Sequence, residues 1–122
     1  MILADTSIWI DHFRVGNSEL QTQLANRNIL IHSFIVAELA LGSLRNRVKT
    51  LTYLDRLPQA RVAQLGEVRQ MIEARSLWSQ GLGLIDAHLL ASTFLNPTTL
   101  LWTRDKHLQS IAKSFGVLAN LP

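Results

Sequence analysis

The chain has 122 residues and a mass of 13.7 kDa, the size of one domain, so two independently folded units are not expected. About 48% of its residues are apolar and 17% charged, which supplies a core and argues against a disordered tail. The lack of cysteine excludes a disulfide framework, a thiol nucleophile and a cysteine-ligated metal site. Twelve Lys and Arg against nine Asp and Glu leave a net charge of +3, too small an excess to identify a nucleic-acid binder alone.

No apolar run reaches the roughly 18 residues that span a bilayer, and the start, Met1-Ile2-Leu3-Ala4-Asp5, has no basic leader region. A cytoplasmic protein without a membrane is the default expectation. Along the chain, Ile2-Leu3-Ala4, Ile29-Leu30-Ile31 and Thr99-Leu100-Leu101-Trp102 are short apolar runs followed by polar residues, the pattern of buried strands. Weaker strand signals lie at Arg61-Val62-Ala63 and Val117-Leu118. Helical spacing of three and four joins Leu51, Leu54 and Leu57, then Val68, Ile72 and Leu77, then Leu108, Ile111, Ala112 and Phe115. Ser18 and Ser33 are suited to helix N-caps and Gly116 to a helix stop. Strands that alternate with helices pair in parallel through right-handed crossovers. The expected fold is therefore a single α/β domain over 1–122, a three-layer α/β/α sandwich on a short, mainly parallel sheet.

Five of the nine acids, Asp11, Glu19, Asp55, Glu67 and Glu73, stand in mixed polar surroundings typical of a solvated helix face. The other four do not. Asp5 follows the first strand, at the edge where open α/β sheets bind ligands, although an N-cap role explains it equally well. Glu38 lies in the apolar helix Phe34-Ile35-Val36-Ala37-Glu38-Leu39-Ala40-Leu41-Gly42, with no basic side chain three or four residues away. Burying such a carboxylate costs several kcal/mol unless a partner is supplied, which points to a polar cleft or a cation or, failing those, a distant arginine. Asp86 opens the helix that follows Gly81-Leu82-Gly83-Leu84-Ile85, and Asp105 sits between a strand end and a helix start, where each could also serve the helix N-terminus.

In a parallel sheet, strand ends and the helix starts after them fall on one rim, so the four can converge. A convergent quartet of like charges is stable mainly around a divalent cation. An all-oxygen set without cysteine or HExxH spacing selects Mg²⁺, with Mn²⁺ as a substitute, before zinc. Without these four, twelve basic residues face five acids, a body of +7 around an anionic pocket. That layout suits a phosphodiester polyanion. Arg45, Arg47 and Lys49, and Arg104, Lys106 and His107, are the densest basic stretches, with solvated helix faces as the simpler explanation.

Leu3-Ala4-Asp5-Thr6-Ser7-Ile8-Trp9-Ile10-Asp11, Ala37-Glu38-Leu39-Ala40-Leu41-Gly42, Ile85-Asp86-Ala87-His88-Leu89-Leu90-Ala91 and Leu101-Trp102-Thr103-Arg104-Asp105 resemble, in order and spacing, the motifs of PIN-domain ribonucleases. The likeness is greatest to the VapC toxins of bacterial VapBC type II toxin–antitoxin pairs. The resemblance implies a metal-dependent endoribonuclease in which Asp5, Glu38, Asp86 and Asp105 match the catalytic, metal-binding quartet. Thr6, Ser7 and Thr103 match supporting hydroxyls. It also implies water attack on RNA that leaves a 5′-phosphate and a 3′-hydroxyl, a homodimer, and inhibition by a cognate VapB-type antitoxin. His12, His32, His88 and His107 have no triad context, and a serine nucleophile at Ser7 has no base placed for it. Exposed Trp9, Phe13 or Trp78 could serve an interface, with a core role the stronger expectation for Trp9 and Trp102.

Two alternatives remain at this stage. A two-component receiver domain shares the length, the sandwich and an acidic pocket, but its phosphoacceptor ends a strand, whereas Asp55 has helical neighbours. A PIN domain that binds RNA without cutting it would have lost ligands, and all four acids are present.

Overall fold

The computed structural model describes residues 1–122. Its elements are β1 (Ile2–Ala4), α1 (Thr6–Val15), α2 (Ser18–Ala25), β2 (Ile29–Leu30), α3 (Ser33–Ala40), α4 (Arg47–Asp55), α5 (Leu65–Ala74), α6 (Leu84–Leu95), β3 (Leu100–Trp102) and α7 (Lys106–Ser114). The strands form one sheet in the order β2-β1-β3, all parallel, with Ile2 and Leu3 opposite Ile29 and Leu30 on one side and Leu100 and Leu101 on the other. Strand β1, apolar on both faces, is buried throughout, as a central parallel strand must be. Helices α1, α3 and α4 pack in series, while α5 rests on α6 and α6 on β3, giving a small α/β/α sandwich. No helix is long and apolar enough to cross a membrane.

The two weak strand signals meet different outcomes. Val117-Leu118 does join the sheet, through a single parallel bridge from Leu118 to Leu101. Arg61-Val62-Ala63 does not. The chain instead bridges at Gln59, opposite Ile31, with the Ile31 amide donating to Pro58 O at 2.8 Å and the Ala60 amide to Ile31 O at 2.7 Å. Proline has a carbonyl to offer the ladder but no amide, so this contact is confined to the sheet edge.

Helix starts shift by one residue. Ser18 and Ser33 are first helical residues, and the caps are Asn17, whose side chain accepts from the Leu20 amide, and His32, whose Nδ1 accepts from the Phe34 amide. Leu57 and Leu77 fall beyond α4 and α5 and pack as the chain turns away; Phe115 caps α7. Gly116 does stop α7, with a φ of +71° that other residues rarely adopt. Trp9 and Trp102 are both buried, whereas Phe13 and Trp78 are exposed.

The main core joins Leu3, Ile8, Trp9, Ile29, Ile31, Ile35, Leu89, Leu101, Trp102 and Leu108 across the sheet. Beside it lies a buried polar contact that periodicity does not reveal. The His32 Nε2 is 2.9 Å from Ser92 Oγ on α6, and His88, also buried, has its ring centroid 4.6 Å from that of Phe34 with the planes tilted by 60°. Because Nδ1 of His32 accepts from an amide, the ring is neutral and its Nε2–H donates to Ser92.

Burial, and secondarily the neighbouring His88, push the His32 pKa down to about 4. Unfolding therefore takes up a proton, and the stability that His32 contributes is complete above about pH 6.5 and lost as the pH falls toward 4. Chemical denaturation across this range should show a loss on the order of 2 kcal/mol. In His32→Asn, which retains a capping acceptor, that part of the pH slope should vanish.

Candidate active site

Asp5 stands where β1 ends. Its amide still donates to Trp102 O at 3.0 Å, so the β1–β3 ladder fixes its backbone. The side chain caps α1: Oδ1 accepts from the Ser7 amide (3.0 Å), the Ile8 amide (3.4 Å) and the Ser7 hydroxyl, and Oδ2 accepts from the Thr103 hydroxyl. Burial pushes this carboxyl above the usual range, and these bonds draw it part of the way back. The N-cap role weighed for Asp5 is thus real, and it holds the carboxylate in one orientation.

The segment after β3 is tied to the same point. The Thr103 hydroxyl accepts from the Asp105 amide at 3.0 Å, the Gln109 side chain donates to the Thr103 carbonyl at 2.7 Å, and the Arg104 amide donates to Ser7 Oγ at 3.1 Å. Arg104 also forms the chain's only salt bridge, to Asp11 at 3.0 Å. Asp105 caps α7 through the Leu108 amide at 2.8 Å and is exposed. Asp11 is therefore paired rather than merely solvated, and Gln109 enters with no motif to announce it.

Glu38 is half-buried on α3. Its partner is not a distant arginine but the Thr6 hydroxyl, which donates to Oε1 at 2.7 Å. Asp86, third residue of α6, is half-buried too. Its pKa is raised first by burial and then by the charges of Asp105, Asp5 and Glu38, against which the Gly83 amide works. One carboxylate thus feels the other three, although no three of them close into a tight ligand cluster. No basic side chain pairs with any of the four.

Gly81 shows how α6 is set against α7. With φ at +77°, its backbone lies so near His107 that a Cβ would fall 2.1 Å from Nδ1, which seats the loop leading to Asp86 against the first turn of α7. Arg47 likewise departs from the solvated face expected of it. Its guanidinium donates to Ala40 O at 2.6 Å and Gly42 O at 3.3 Å, satisfying carbonyls left open at the end of α3. Asp55 closes α4 and is exposed, far from the strand end that a receiver domain requires of it.

A small α/β/α sandwich with acids gathered at the carboxyl rim is the architecture of a PIN domain, and the PIN-domain family model matches residues 2–114. The chain belongs to this family. Among its relatives is Ribonuclease VapC32 of Mycobacterium tuberculosis, in strains CDC 1551 / Oshkosh and ATCC 25618 / H37Rv, each 41% identical over 117 residues that cover 96% of this chain and 94% of the relative.

The Thr103 hydroxyl serves Asp5 and Asp105 together, so Thr103→Val, nearly the same in shape, leaves two polar groups short of a partner. Urea unfolding should show a loss of about 1–3 kcal/mol. No loss would mean that the clamp contributes nothing to stability.

Proposed function

We propose that the protein is a VapC-type endoribonuclease, the toxin of a type II toxin–antitoxin pair, whose Asp5, Glu38, Asp86 and Asp105 hold Mg²⁺, or Mn²⁺ in its place. The observation that supports this is Asp86, which feels the charges of Asp105, Asp5 and Glu38 from distant stretches of chain, while no basic side chain pairs with any of the four. Burial, and after it the charges of the other three, raise the pKa of Asp86, a cost that a hard cation with oxygen ligands would remove. The kinship with a protein named as a ribonuclease supports the same reading.

Bound Mg²⁺ supplies activation of water and neutralisation of charge on a phosphodiester, and no histidine base is needed. The chain's residues divide the remaining work. Ser7 and Thr103 orient Asp5 by donating to its two oxygens, and Thr6 holds Glu38 toward α1. Asp86 and Asp105 project from the first turn and the cap of two adjacent helices. The positive body brings the polyanion to them. Hydrolysis by water leaves a 5′-phosphate and a 3′-hydroxyl, and single-stranded loops are the accessible substrates. We further propose a single domain working in the cytoplasm as a homodimer, silenced by a VapB-type antitoxin.

Asp5→Asn and Asp86→Asn should each abolish Mg²⁺-dependent cleavage of RNA and retain the native circular dichroism spectrum, and chelation of the wild type should do the same reversibly. A variant that cuts as fast as the parent removes its residue from the site. Asp86→Asn should also raise the melting temperature of the metal-free protein by a few degrees at neutral pH, since repulsion is relieved. Expression should arrest growth, and co-expression of the adjacent small reading frame should restore it.

A further inference from the structure

The acidic site does not stand alone on its rim. A groove of about 670 Å³ runs between α1 and the connection from α3 to α4, and Glu38 is the only acid in its wall. On the α1 side lie Ile10, Phe13 and Arg14, on one helical face by their spacing. Opposite them lie Ser43, Arg45 and Asn46. Phe13, Arg14 and Arg45 are exposed, and neither arginine has a carboxylate partner, since the one salt bridge in the chain uses Arg104. Arg47, by contrast, is spent on the α3 carbonyls and holds the far wall in place.

We propose that this groove carries the RNA strand next to the scissile phosphate, with Arg14 and Arg45 on backbone phosphates and the Phe13 ring under a base. The inference rests on the nuclease function proposed above and extends it to how the strand is held. Two unpaired guanidinium groups beside an exposed aromatic ring are what a single strand needs, phosphate charge on one hand and a stacking face on the other. Continuity through Glu38 connects that path to the acids. A peptide laid in the groove would find the apolar residues but would need acidic side chains of its own for the arginines, whereas RNA brings an anion with every nucleotide.

Binding of a fluorescently labelled single-stranded oligoribonucleotide, followed by anisotropy in EDTA across a salt series, tests this whether or not the acids cleave RNA. The double variant Arg14→Gln/Arg45→Gln should bind about tenfold more weakly, and its log–log salt slope should be shallower by about 1.4. Arg14→Lys/Arg45→Lys should restore the slope. Phe13→Ala should weaken binding about fivefold or more, and Phe13→Trp should not. In Mg²⁺-dependent cleavage the Gln pair should raise KM and leave kcat near the parent value. Parental affinity and slope in the Gln pair overturn the proposal, as does loss of antitoxin binding with RNA binding intact, which would assign the groove to the protein partner. Absence of Mg²⁺-dependent RNA cleavage by the parent protein would instead defeat the nuclease assignment, and the anisotropy result would still decide the groove.

Discussion

Burial of carboxylates at the carboxyl rim of the sheet is the constraint on which the rest of this structure depends. Parallel strands all point their carboxyl ends to one rim, and the helices that follow start there, so acids at those junctions are brought together by topology, against their own electrostatics. Asp86, raised by burial and by Asp105, Asp5 and Glu38, registers that conflict at one atom group. The hydrophobic core under the rim, built on Leu3, Leu101 and Trp102, supplies the free energy that offsets it.

The restraint is local as well. Three of the acids are tied to neutral donors instead of cations: hydroxyls and amides for Asp5, a hydroxyl for Glu38, an amide for Asp105. Neutral donors stabilise a carboxylate without cancelling its charge, whereas a bound arginine would occupy the oxygens that a metal ion needs. Arginines are accordingly kept to other tasks. Arg104 pairs with Asp11 and Arg47 closes α3.

Several residues do double duty at the helix starts. Asp5 and Asp105 are N-caps whose charges are also felt by Asp86. A cap fixes χ1 and the carboxylate plane through amide bonds, so structural and chemical roles reinforce one another.

Sequence alone determined much here. Apolar runs at Ile2–Ala4, Ile29–Ile31 and Thr99–Trp102 marked the strands to within a residue, because strands of a parallel sheet between helix layers are largely apolar. Glu38 stood out by the apolarity of its own helix, and the order of the four acid-bearing motifs pointed to the family. What sequence left open depended on contacts between residues far apart in the chain. Thr6 to Glu38, Gln109 to Thr103, Gly81 against His107 and Gln59 opposite Ile31 leave no periodic trace, because hydrogen bonds and van der Waals contact depend on distance in space. Only once the sheet is paired do these side chains meet, and so only the tertiary structure could decide which groups hold each acid in place.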